Sequence, residues 1–393
     1  MTGISSTRTP VIAVMGVIAV IAFTLRIGLT SIPSVLSSIQ EATGWSEVTL
    51  GALTTIPVLC MGLFALTVPR IARRMGTRSA VAMGLVFLAV GMGLRAVEAL
   101  PALLFVTVFL VGIGIAVVTG LVPALVRAVM PTDTGLGSGI WTAVMFTGAA
   151  LGGALTPTFA LWFGSWGLAL AVWAIPAVVA LILWWPTPTP QGATTATSPV
   201  RIRELPWRDT RAWALTLYSA TNSIVFYSTV AWLAPSYVER GYSQAAAGGL
   251  FGVYVVGTIV AGLFLPWIND RIRHRRALLA IVVIVATAML LLIGFTPDTA
   301  TLAVLAIFGF TLSGSFALVL ALLSEYGSDA AGSARLTAMA FFVTYVLAAL
   351  GPLVIGALIA ATGSWPLVFS VLAVLCLAQA AFVVPLRRDV RIG

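Results

Sequence analysis

Long apolar runs alternate with short breaks rich in Gly, Pro or charge along the whole chain. A helix that crosses a bilayer needs about 20 predominantly apolar residues. On that rule the pattern predicts twelve helices, over 10–37, 45–67, 79–98, 102–128, 135–161, 165–186, 210–238, 243–267, 277–296, 300–325, 333–361 and 365–386. The breaks carry helix-ending residues, as in Pro297-Asp298 and Met130-Pro131-Thr132-Asp133. The first run is too long for a signal peptide and leads into further spans, not to a small-residue cleavage site.

Composition agrees with this reading. Of 393 residues, 60% are hydrophobic and 8% charged, whereas a soluble domain carries about a quarter charged residues. The fold class is therefore all-α integral membrane. Cys60 and Cys376 both lie inside apolar runs and read as small packing residues, so neither a disulfide nor a metal site is indicated. No cofactor is expected.

Charge sets the orientation. The net charge of +9 comes from 21 arginines, with no lysine in the chain, and is read as topology, not as nucleic-acid binding. Eighteen arginines fall at Arg8, Arg70, Arg73, Arg74, Arg78, Arg127, Arg201, Arg203, Arg208, Arg211, Arg271, Arg273, Arg275, Arg276, Arg335, Arg387, Arg388 and Arg391. All lie at the termini or in even-to-odd loops. Arg95 and Arg240 sit near helix ends on the opposite side, and Arg26 is the remaining one. By the positive-inside rule both termini and the loop after span 6 face the cytoplasm, across a cell membrane.

That loop begins PTPTPQGATTATSP and ends VRIRELPWRD. Its first part has the makeup of a flexible, partly extended linker. It divides the chain into 1–186, a linker at 187–209, and 210–393. The second part echoes the first at a constant shift of 197: Gly44/Gly241, Ser46/Ser243, Gly51/Gly248, Leu53/Leu250, Pro69/Pro266, Arg74/Arg271 and Arg78/Arg275. Gly164-Ser165-Trp166 recurs as Gly363-Ser364-Trp365, shifted by 199. Collinear matches at one shift indicate a parallel duplication. Two pseudo-symmetric six-helix halves resemble the organisation of major facilitator transporters, which place a solute site between the halves at mid-membrane.

The stretch Val11–Leu36 holds one charge, Arg26. At 1.5 Å per residue it lies about 24 Å along a helix starting at Pro10, near mid-span. A guanidinium there costs at least ~2.5–3.5 kcal/mol on insertion scales and is kept where it faces protein or a wet cavity. Two readings follow. Arg26 lines a solute pathway and binds an anionic or strongly polarised group, or it ties neighbouring helices together through backbone carbonyls.

The loop PRIARRMGTR (Pro69–Arg78) and its counterpart PWINDRIRHRR (Pro266–Arg276) resemble the major facilitator loop signature in part. Arg74, Gly76 and Arg78 are in register in the first copy, with Arg73 at the acidic position. Asp270-Arg271 fits in the second, where Arg273 replaces the glycine. The resemblance implies latches that hold one gate state; positive-inside topology explains the arginines equally well. His274, the one histidine, lies in this loop and reads as solvated.

Further stretches resemble the cyanate/2-nitroimidazole transporter family across essentially the whole chain. They are LRIGLTSIPSVLSSIQEATGWS (Leu25–Ser46), LTTIPVLCMGLFAL (Leu53–Leu66), GIGIAVVTGLVPALVR (Gly112–Arg127), FYSTVAWLAPSYVERGYS (Phe226–Ser243) and YVLAALGPLVIGAL (Tyr345–Leu358). The resemblance implies carriage of a small, planar, weakly acidic or anionic solute, with Arg26 matching the family's arginine in span 1. The sequence departs at Thr119 and Asn222, where the family pattern has an amide and a longer amide. By the internal shift Arg26 corresponds to Ser223, beside Asn222 and one turn before Tyr227. Arg26 is then expected to grip an anion with Asn222 and Tyr227 as neutral partners, while Asn222 could equally serve an interhelical hydrogen bond.

Trp141 and Met145 on span 5, and Phe341 and Tyr345 on span 11, are i, i+4 pairs. In the resembled fold these helices border the cavity, so the pairs are candidates to sandwich a flat ring; lipid-facing or packing roles are the alternative. Gly148/Gly152 and Gly248/Gly252 are close-packing signals. All twelve carboxylates fall at span ends or in loops, so no protein counter-ion for Arg26 is evident. Nor is a mid-membrane acid relay of the kind proton-coupled carriers use.

The chain thus reads as a secondary transporter working by alternating access, expected to act as a monomer in the bilayer on a small-molecule or anion substrate. A multidrug exporter of the same fold is the first alternative. A membrane-embedded enzyme is disfavoured, because no nucleophile, metal-ligand set or acid/base pair converges.

Overall fold

The computed structural model describes residues 8–131, 133–188, 202–271, 275–296, 298, 300–326 and 330–383. The first part of the linker, His274, Arg273, Arg387, Arg388 and Arg391 lie outside them. Span 1 is α1 (Arg8–Ser34) followed by α2 (Leu36–Thr43). Next come α3 (Glu47–Ala65), the short α4 (Val68–Met75) in the loop, α5 (Thr77–Gly93), α6 (Leu103–Val129) and α7 (Thr134–Phe163). Span 6 is split into α8 (Trp166–Ala171) and α9 (Ala174–Trp184). After the linker follow α10 (Thr210–Glu239), α11 (Gln244–Arg271), α12 (Arg275–Phe295), α13 (Thr301–Glu325), α14 (Ala330–Thr362) and α15 (Trp365–Val383).

Among the described residues, eleven helices are long and apolar enough to cross a membrane. The twelfth is α10, which is 30 residues long and interrupts its apolar positions with Thr216, Ser219, Thr221, Asn222, Ser223, Ser228, Thr229 and Ser236, all buried. A helix that polar sits in a bilayer only if protein surrounds it on every side.

The repeated residues do the same local work in both halves. Gly44 ends α2 in the left-handed region (φ 66°), and Ser46 Oγ then accepts from Thr49 N to start α3. Gly241 (φ 92°) follows α10 in the same way, and Ser243 Oγ accepts from Ala246 N at the start of α11. Glycine reaches positive φ without a Cβ penalty, and a serine oxygen satisfies an orphan helix N–H. The Gly-Ser-Trp repeat is likewise a stop and a start: Gly164 has φ 62° and Gly363 φ 59°, and each following serine accepts from the new helix. Pro33 removes a donor near the end of α1, and the chain breaks at Val35 before resuming as α2.

The halves meet along α3 with α14 and along α7 with α11. Small residues set these seams. A Cβ on Gly51 would meet the carbonyl of Pro352, and one on Gly248 the carbonyl of Gly153. Gly148 and Gly152 let α1 approach α7 at Phe23 and Ile27. Without a hydrophobic drive between helices in lipid, such close backbone contact supplies the association.

Candidate functional site

Arg26 stands halfway along the α1–α2 span, half-buried, at the junction of the two halves. Its Nη1 donates to the hydroxyl of Tyr227 on α10 at 3.0 Å. Three rings surround the guanidinium carbon, with centroids at 5.7 Å (Phe146), 5.9 Å (Phe226) and 5.8 Å (Tyr227). Rings at that range stabilise a cation through their quadrupoles without neutralising it. Among the described residues, only tyrosines interact electrostatically with Arg26 to any marked degree, and no carboxylate reaches it. The charge is therefore held in place but not cancelled.

Tyr227 Oη, having accepted from Arg26, donates its own proton to Met61 Sδ on α3 at 3.9 Å, a weak partner. A further ring, Tyr345 on α14, meets Tyr227 edge-on at 6.3 Å and carries Phe341 at 5.9 Å. Tyr254 on α11 tilts against Phe226 at 6.4 Å and feels the Arg26 charge. Its buried hydroxyl has no hydrogen-bond partner.

Of the side chains picked out in the sequence, Arg26, Tyr227, Tyr345 and Phe341 form one continuous group. Met145 is buried and Trp141 half-buried in the first half's core, and it is the next residue, Phe146, that lies over the guanidinium. Thr119 is half-buried on α6. Asn222 points elsewhere. Its Nδ2 donates to Leu312 O on α13 at 3.1 Å and to Gln379 Oε1 on α15 at 3.3 Å. Gln379 Oε1 also accepts from Ser315, which is bonded to Tyr218. Asn222 thus joins a polar knot that ties three helices of the second half together.

Around the α4 loop, Arg73, Arg74 and Arg78 are exposed. Arg78 stacks over Trp185 at 6.0 Å, and its carbonyl accepts from Trp184 Nε1 at 3.0 Å. That contact fastens the loop to the end of span 6 in the same half. Asp270 and Arg271 end α11, and their side chains lie outside the described residues.

Sequence reasoning missed Phe146, Phe226, Met61 and Tyr254. Phe226 adjoined Tyr227 in the quoted span 7 stretch, and Phe146 adjoined Met145; only the helix rotation separates the chosen residue from its neighbour. Arg95, assigned by topology to a helix end, is buried at 1% exposure. It donates to Gly28 O at 3.0 Å and to Ser31 Oγ at 3.3 Å. Gly28 and Ser31 lie roughly opposite Arg26 at 100° per residue, so Arg95 clamps the back of α1 while Arg26 faces the seam. On the end away from the arginine-rich loops, Gln244 Nε2 donates to Ser38 Oγ at 2.8 Å and joins α11 to α2. Among the described residues no group of three or more His, Cys, Asp or Glu could hold a metal ion, and Cys60 and Cys376 are buried free thiols.

The bundle thus combines a buried polar helix, α10, with a mid-span cation that no carboxylate among the described residues meets. The chain belongs to the Major Facilitator Superfamily, whose family model matches residues 18–352 and 237–391. It is similar to the 2-nitroimidazole transporter of Escherichia coli (strain K12), 31% identical over 98% of this chain and 97% of that protein. It is 30% identical to the cyanate transport protein CynX of the same organism, over 89% of this chain and 90% of that one. Among solved structures, a D-xylose-proton symporter superposes with a TM-score of 0.75 at 16% identity, covering 95% of this chain and 96% of that chain. The chain is accordingly a multi-pass membrane transporter of this superfamily.

Proposed function

We propose that this transporter carries a small, flat, anionic or strongly polarised solute, cyanate-like or nitroimidazole-like, held by Arg26 and Tyr227. The observation that carries the reading is the Arg26 guanidinium, which meets a hydroxyl and three rings but no carboxylate. A charge kept at mid-membrane without a counter-ion is suited to take one from the solute. An oxygen or nitrogen of the solute accepts from the unspent N–H groups of Arg26. The Tyr227 proton, resting on a thioether, turns to a second acceptor atom at little cost. The names of the two relatives at about 30% identity fit such a solute.

Arg26 belongs to one half and Tyr227 to the other, so a solute gripping both favours the state in which the halves close on it. Binding energy that differs between two states is what shifts their populations. The arginine-rich loops support cytoplasmic termini by the positive-inside rule; in that orientation the Ser38–Gln244 contact closes the outer side. Export of an anion needs no coupling ion, because the membrane potential favours it by about 2.3 kcal/mol per 100 mV.

The test is binding of cyanate and of 2-nitroimidazole to purified protein, followed by uptake and efflux in vesicles, for wild type and Arg26→Ala. Loss of both in a variant that still expresses and folds supports the assignment. Wild-type transport by Arg26→Ala removes it.

A further inference from the structure

A buried tyrosine hydroxyl with no partner is costly, about 1–3 kcal/mol, and Tyr254 Oη is one. Its ring is firmly placed, against Phe251 at 5.9 Å and Phe308 at 5.4 Å. Packing therefore fixes the residue without using the oxygen, and a phenylalanine would pack there as well. The third ring against it is Phe226, 6.4 Å away and tilted by 40°. Phe226 is half-buried and also approaches the Arg26 guanidinium at 5.9 Å. Phe226 thus contacts both the uncompensated cation and the ring that carries the orphan hydroxyl.

We infer that Tyr254 is a specificity-determining residue, its hydroxyl hydrogen-bonding a ring heteroatom of a one-ring solute whose nitro or carboxylate end lies on Arg26, with Phe226 turning aside to admit that ring. The inference rests on the anion-site reading of Arg26 and narrows it. The solute ring takes the place of a side-chain ring of its own size, so the walls already fit it. Its polar end meets Arg26 and Tyr227, and its far polar atom meets Tyr254. A linear ion such as cyanate reaches only the first pair. A site built to hydrogen-bond a group discriminates against solutes lacking it far better than a hydrophobic pocket does.

The experiment uses the full-length protein in detergent, with 2-nitroimidazole and cyanate as probes, in wild type, Tyr254→Phe and Arg26→Ala. Dissociation constants come from calorimetry, and ligand-free melting temperatures are recorded alongside. Tyr254→Phe is expected to weaken 2-nitroimidazole about fivefold to tenfold, the worth of one hydrogen bond, and to leave cyanate within about twofold on the same scale. Its ligand-free melting temperature should hold or rise, since an unpartnered buried hydroxyl has been removed. Equal losses for both probes, no loss for either, or a wild type that does not bind 2-nitroimidazole overturns the inference. So does a lower ligand-free melting temperature, which would show that the hydroxyl serves the fold. If Arg26→Ala binds both probes like wild type, it is the anion-site reading that fails.

Discussion

Arg26 and Tyr227 are 201 positions apart in the chain, yet the arginine's Nη1 lies 3.0 Å from the tyrosine's hydroxyl oxygen. One sits on α1 and the other on α10, the first helices of the two halves. The bond therefore crosses the seam along which a carrier of this superfamily must open, halfway along the first span. Among the described residues no carboxylate pairs with the arginine. Under the proposed function the pair is at once a contact that must break and a surface for a solute to bind.

Tyr227→Phe keeps the ring over the guanidinium and removes the hydroxyl alone. A hydrogen bond to a charged group is worth about 1.5–3 kcal/mol, so the affinity for anionic solutes should fall roughly tenfold or more. Calorimetric titration of the purified variant checks this. An unchanged dissociation constant would restrict Tyr227 to packing.

Asn222→Ala should behave differently. Its amide serves Leu312 O and Gln379 Oε1 in the interior of the second half. Interhelical hydrogen bonds of this kind average about 0.6 kcal/mol and reach about 1.7 in membrane proteins. The melting temperature should drop by a few degrees while the transport KM stays within about twofold. A large KM change without loss of stability would place Asn222 in the solute path.

Gly248 packs on the carbonyl of Gly153, across the α7–α11 seam and next to the Ser38–Gln244 contact. Gly248→Leu introduces a side chain that a backbone oxygen cannot yield to, so it should prop that side of the seam open. Transport should be lost with expression retained. A cysteine at position 38 should then react faster with an impermeant thiol reagent than in the unpropped protein. Normal turnover would mean that this end of the seam need not close.

A short thiol cross-linker between cysteines at Ser38 and Gln244 probes the same contact from the other direction. The two side chains touch at 2.8 Å, so cross-linking should be efficient. It should arrest transport while leaving solute binding from the arginine-rich end intact, and reduction of a cleavable linker should restore turnover. Undiminished transport in fully cross-linked protein would show that α2 and α11 need not part.

Much of this protein was determined by sequence alone, because the relevant physics is local. Span length follows from bilayer thickness, and the duplicated Gly44/Gly241 and Ser46/Ser243 pairs stop and start helices through their own φ values and capping oxygens. The lone charge in the first span singles out Arg26 by its depth in the membrane. Tertiary structure decided who its neighbours are. Phe146 lies over the guanidinium, Asn222 turns to Gln379, and Arg95 is buried behind α1. The reason is that helix rotation and pairing are set by packing between segments far apart in the chain. A helical pattern places a residue at a depth in the membrane, and only the packed bundle decides which way it faces.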